Sequence, residues 1–184
     1  MKQITLLFLL IVQSTIAQNS LFNQIEAKNI GPTIMSGRVV DLAVNPKNPT
    51  EFYVAYATGG LWYTNNNGTS FSPVMDSAET VNCGSVTVDW NSGTIWVGTG
   101  EVNASRSSYA GVGVLKSSDK GKTWENLGLK DSHHISRIWV NPSNLNEIVV
   151  AAVGHLYTTN KERGVYKSTD GGKSWKQTLF VAED

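Results

Sequence analysis

Cysteine is almost missing from this chain. Cys83 is the single one among 184 residues, so no disulfide can form within the chain, and stability has to come from packing. Cys83 itself reads as a buried small hydrophobe rather than a nucleophile. An excess of charge of one sign is also lacking. Lys plus Arg and Asp plus Glu number 15 each, and no run of like charge points to a nucleic acid or an anionic membrane surface as a partner. Helical periodicity is absent beyond the first twenty or so residues. His133, His134 and His155 show neither an H-x-H nor an H-E-x-x-H spacing, so no metal site is expected, and nothing calls for a cofactor.

Long hydrophobic runs are absent as well. The apolar run at residues 4–12 follows Lys2 and is about half the roughly 20 residues that a spanning helix needs. It is followed by Thr15, Ile16 and Ala17 before Gln18, the small-residue pattern of a secretory signal peptide cleaved after Ala17. The expected location is therefore periplasmic, cell-surface or extracellular, with no membrane span in the mature chain. No Cys follows the run, so a lipid anchor is not supported. Asn67 and Asn103 sit in glycosylation sequons, which matter only in a host that reads them.

What the chain does have is glycine, aromatics and short β-branched runs: 17 Gly, 6 Trp and 6 Tyr, the composition of strands separated by turns. Laid on itself, the chain repeats. Ser117-Ser118-Asp119-Lys120-Gly121-Lys122-Thr123-Trp124 and Ser168-Thr169-Asp170-Gly171-Gly172-Lys173-Ser174-Trp175 both fit S-x-D-x-G-x-[TS]-W. A weaker copy runs from Thr64 through Asn66, Gly68 and Ser70 to Phe71. Asp119 follows Asn66 by 53 residues and Asp170 follows Asp119 by 51, a blade-sized period. Upstream of each box, residues 39–46, 83–90 and 135–142 align as first strands. Residues 52–57, 94–99 and 148–153 align as second strands, and a third strand enters each box while a fourth leaves it. The fold expected is all-β, three antiparallel four-stranded blades of a β-propeller.

The box residues read as structural. Gly121 and Gly172 supply a backbone conformation other residues tolerate poorly, and Asp119 and Asp170 accept hydrogen bonds from turn amides. Ser117, Thr123, Ser168 and Ser174 supply further hydroxyls, and Trp124 and Trp175 bury large rings. Catalysis or calcium binding would need lone pairs that the turn already uses.

These boxes resemble the BNR or Asp-box repeats of sialidases and of the sortilin ectodomain. The strings Ser36-Gly37-Arg38, Gly59-Gly60-Leu61-Trp62, Gly98-Thr99-Gly100-Glu101, Trp124-Glu125-Asn126-Leu127-Gly128-Leu129 and Gly154-His155-Leu156 resemble large exported bacterial propeller proteins. That family carries the labels glycosyl hydrolase and sortilin N-terminal domain. The likeness runs over residues 29–183. It implies a propeller fold and either a hydrolase or a binding function, without transferring a catalytic set.

A propeller closes when its first and last blades pair, typically with about four to eight blades. Three blades predict the N-terminal part of a longer propeller. Residues 1–17 are then the leader, 18–35 a lead-in that offers an outer strand to the closing blade, and about 36–76, 80–130 and 131–182 the blades.

In an up-and-down blade, the start of strand one and the loop between strands two and three share one end, and the box hairpins occupy the other. Arg38, Asn82 and His134 fall in one register, each eight residues before Pro46, Trp90 or Pro142. With Glu101 and His155 they are the expected ligand-binding residues of an axial funnel. Its loops, at 100–112 and 154–163, also carry Arg106, Tyr109, Tyr157 and Arg163. Glu101 is the candidate catalytic carboxylate, with Asp131 as a companion. Arg38 and Glu101 admit a second reading, as an ion bridge between neighbouring blades. The expected activity is binding of a glycan or of a protein or peptide. The alternative is a glycoside hydrolase, which needs two carboxylates about a sugar bond, or a tyrosine nucleophile with an arginine cluster, completed by further blades.

Overall fold

The computed structural model describes residues 37–103 and 108–181. The expected leader and lead-in lie outside the described residues, as does Arg106. Among the described residues, twelve strands form three separate four-stranded antiparallel sheets in sequence order. The first holds β1 (Val39–Val44), β2 (Phe52–Tyr56), β3 (Gly60–Thr64) and β4 (Ser72–Pro73). The second holds β5 (Cys83–Asp89), β6 (Thr94–Thr99), β7 (Val114–Ser117) and β8 (Glu125–Asn126). The third holds β9 (Ile135–Val140), β10 (Ile148–Ala152), β11 (Gly164–Ser168) and β12 (Lys176–Phe180), preceded by a 3-10 turn at Lys130–Ser132. Each sheet is an up-and-down blade. Among the described residues no helix is long and apolar enough to cross a membrane.

The core lies between the blades, because each sheet is apolar on both faces of its central strands. Tyr53, Ala55 and Leu61 of the first blade pack on Cys83, Val86, Ile95 and Val97 of the second. Trp96, Val114 and Leu127 of the second pack on Ile135, Ile138, Ile148 and Val150 of the third. Each side chain buried this way stabilises by roughly 1.5–3 kcal/mol before chain entropy is charged against it. Cys83 is fully buried beside Met75, and burial pushes its thiol up to about 12, which leaves it inert.

The box turns repeat one set of bonds. In the second blade Asp119 Oδ1 accepts from the Thr123 amide (2.9 Å) and the Ser117 hydroxyl (2.8 Å), while Oδ2 accepts from the Thr123 hydroxyl (2.7 Å). Ser117 Oγ in turn accepts from the Gly121 amide at 2.8 Å. Asp170 makes the same contacts with Ser174 and Ser168, and the Gly172 amide closes that turn. Asn66 keeps the pattern in the first blade with its amide NH2 donating to Ser70 Oγ, the one reversal that replacing Asp by Asn requires.

The boxes also tie blades together. The Trp124 indole donates to the Val74 carbonyl of the preceding blade (3.0 Å), and Trp175 donates to Leu127 O (2.7 Å). Gly121 has φ +89°, and a Cβ there would stand 2.7 Å from Val74 Cβ, so its glycine is required by conformation and by the neighbouring blade at once.

A second device repeats with little signal in the sequence. Each first strand has a β-bulge at the same register: Val40, Gly84 and Ser136 are the extra residues. Bulges raise the local twist and re-aim the side chains that follow. The next residues, Asp41, Ser85 and Arg137, meet across the three inner strands. Asp41 Oδ2 accepts from Ser85 Oγ (2.7 Å) and the Val86 amide (3.0 Å), and Arg137 Nη1 lies 3.3 Å from Asp41 Oδ1.

Candidate functional site

The loops that join strands two and three lie at the end opposite the boxes. There Arg38 of the first blade reaches Glu101 of the second. Arg38 Nε donates to Glu101 Oε1 at 2.6 Å and Nη2 contacts the same oxygen. Glu101 is completely buried, whereas the Arg38 side chain is 48% exposed. A buried carboxylate needs such a partner, since its desolvation alone costs several kcal/mol. Of the two readings of this pair, the geometry presents the bridge between blades.

His134 joins them from the third blade. Its ring hydrogen-bonds the Glu101 backbone, and burial, more than any neighbour, lowers its pKa. Glu101 Oε2 and His134 Nδ1 are buried polar atoms without a hydrogen-bond partner among the described residues. Two such atoms on touching residues are unusual, because buried polar groups are normally satisfied.

The other candidates are engaged by the scaffold. Asn82 turns to its own blade, where its side-chain amide donates to Ala110 O at 3.2 Å and its backbone carbonyl accepts from the Gly100 amide at 2.9 Å. His155 Nε2 is 3.0 Å from the Asp131 carbonyl and Nδ1 is 2.9 Å from Thr158 Oγ1. A carbonyl can only accept, so Nε2 carries the proton and Nδ1 accepts from the hydroxyl. His133 stacks on this fixed ring at 3.7 Å and 16°, with its pKa lowered by burial and then by His155. Arg163 donates to the Val153 carbonyl at 3.0 Å. Asp131 is exposed; its carbonyl accepts from His155 Nε2, and its carboxylate acts on His133 through charge, opposing the lowering of that pKa. Tyr109 (57%) and Tyr157 (71%) remain open to solvent at this end.

So Arg38, Glu101 and His134 come together, and Asn82 and His155 hold the loops around them. No group of three His, Cys, Asp or Glu that could hold a metal is present among the described residues. The sequence reading missed the Asp41, Ser85 and Arg137 contact. Its only signal was register: these residues are as equivalent as Arg38, Asn82 and His134, three positions further on.

No family model matches the chain. A 75-residue stretch is 39% identical to vacuolar protein sorting/targeting protein 10 of Kluyveromyces lactis, covering 40% of this chain and 4% of that protein. An ancestral GH74 enzyme superposes with a TM-score of 0.63 at 21% identity, covering 86% of this chain and 20% of its own. YCF48 bound to D1 peptide superposes with a TM-score of 0.55 at 14% identity, covering 87% and 49%. The chain thus spans a small part of the first relatives it matches. At these identities the solved structures speak for the fold alone. The described residues form three four-stranded blades of a β-propeller.

Proposed function

We propose that this is an exported propeller whose loop end captures a protein or peptide. The observation that carries the reading is the blade-bridging Arg38, Glu101 and His134 cluster, with two unpartnered buried polar atoms beneath a half-exposed guanidinium. Exposed Tyr109 and Tyr157 on loops at the same end add rigid aromatic area, the residue type that anchors interfaces. YCF48, to which the chain is similar in fold, is known bound to D1 peptide, so a peptide is a precedented ligand for a chain of this fold. Export rests on the leader pattern of residues 1–17, and a mature N-terminus at Gln18 by mass spectrometry is its check.

The experiment is selection of peptides from a displayed library on the intact chain, followed by titration on Arg38→Met, Tyr109→Ala and Tyr157→Ala. Selected peptides should lose about tenfold or more in affinity on at least one variant. Peptides that bind all three like the wild type overturn the reading. The hydrolase alternative is the less favoured here, since Glu101 Oε1 is paired with Arg38 and Asp131 contacts His155 through its carbonyl. Turnover of aryl glycosides that vanishes in Glu101→Gln would revive it.

A further inference from the structure

The opposite end of the molecule has a cleft of its own. A cavity of about 270 Å³ opens between the first and second blades, lined by Glu51, Tyr53, Trp90, Asn91, Gly93 and Lys120 among others. The equivalent position between the second and third blades is a residual gap of about 40 Å³ bounded by Trp96, Pro142 and Leu145. Strand register makes the comparison residue by residue. Tyr53 pairs with Ala43 where Trp96 pairs with Thr87, so the ring that fills the second cleft is a smaller Tyr in the first. Pro142 corresponds to Trp90. The turn after the first strand spans residues 141–147 in the third blade but only 90–93 in the second. The shorter turn has no counterpart of Leu145, and the first cleft stays open.

The open cleft carries a specific chemistry. Trp90 is the partly exposed aromatic wall of the cleft, and the Tyr53 ring, 4% exposed, backs it 5.5 Å away at 41°. Opposite charges face it in balance. Glu51 is held by Tyr63 Oη (2.6 Å) and Asn45 Nδ2 (2.7 Å), and these bonds, the tyrosine first, lower its pKa, with Lys120 contributing. Each carboxylate oxygen keeps a further lone pair to offer. Lys120, at φ +62°, lies with its methylenes over Gly93. Asn91 Oδ1 accepts from Lys47 Nζ at 2.8 Å, which fixes the amide plane.

We propose that this cleft, at the box end between the first two blades, binds a hexose unit of a neutral glycan. A pyranose offers an apolar C–H face to an aromatic wall and hydroxyls that both donate and accept, which suits a carboxylate and an ammonium side by side. A polyanion would meet Glu51, and a cation would meet Lys120. This site is separate from the peptide-binding end and does not depend on it.

The test is calorimetric titration of the intact chain with cellohexaose, mannohexaose and maltohexaose. At least one should saturate, with affinity lowered about tenfold or more by Trp90→Ala and severalfold by Lys120→Gly. The second variant protects the test, because Gly suits the left-handed backbone at 120 and leaves the aromatic packing intact. The proposal is overturned if none of the three sugars saturates by about 10 mM, or if both variants bind like the wild type. Affinity for selected peptides is read in the same samples, so the failure of either site is seen apart from the other.

Discussion

The two ends of the blades behave differently. At the box end the turns repeat the same hydrogen bonds almost atom for atom, through Asp119, Asp170 and the amide of Asn66. At the loop end equivalent residues do unlike things. Arg38 crosses to the next blade, Asn82 folds onto its own loop, and His134 is buried against Glu101. Repetition belongs to what every blade must do, which is turn and hold its neighbour. Divergence belongs to what only one arrangement of blades has to do. The cleft between the first two blades shows the same rule at the box end: it departs from its neighbour where a turn is shorter.

The comparison can be broken most severely at the box glycines. Gly121→Ala should cost about 3 kcal/mol by urea unfolding, from a strained φ and a clash with Val74, with Lys120→Gly next to it close to neutral. At the loop end, Arg38→Ala should cost about 2 kcal/mol by leaving the Glu101 carboxylate buried without its partner. Adding Glu101→Gln should recover part of that loss if the bridge is the cause. Trp175→Phe keeps the ring but removes the bond to Leu127 O, and should cost about 1 kcal/mol. Phe71, which stands at that position in the first blade, shows that the turn itself accepts the change.

Smaller effects appear only as pH is varied. Asp119 is held down to about 2 by the Thr123 hydroxyl and amide and by Ser117. Its contribution is full above its ordinary value near 4, and is lost as pH falls through about 2. Asp119→Asn should flatten acid unfolding in that window while leaving the turn closed, as Asn66 does. His133 and His134 have lowered pKa values, each chiefly through burial. Their folded state favours the neutral ring, so stability is full above about 6.5 and declines as pH falls below it. His134→Gln should remove part of that decline, read as a shift in the denaturant midpoint between pH 7 and pH 5.

Much of the fold was legible because its determinants are local. A period near fifty, a left-handed glycine, an Asx-type turn and alternating apolar strands are written in consecutive residues, and the sheets follow them to within a residue or two. The bulges were not legible at Val40 and Ser136, since neither residue signals one, and only Gly84 hints at it. Register placed Arg38, Asn82 and His134 at one end, but which of them touch depended on packing between blades. The strand bounds read from the sequence left turns at 47–51, 91–93 and 143–147, so the shorter middle turn was legible; the volume it leaves between blades was not.

By itself, the sequence determined the blade: its four strands, its box hairpin, and the glycine and tryptophan that each box needs. Those features depend on hydrogen bonds spanning a few residues and on the two-residue alternation of a strand. Only the tertiary structure decided which carboxylate is buried under which guanidinium, which histidine is already engaged, and which of two equivalent clefts is open. These are settled by side chains about fifty residues apart meeting across an interface, where a ring one size smaller or a turn three residues shorter changes what the surface can hold.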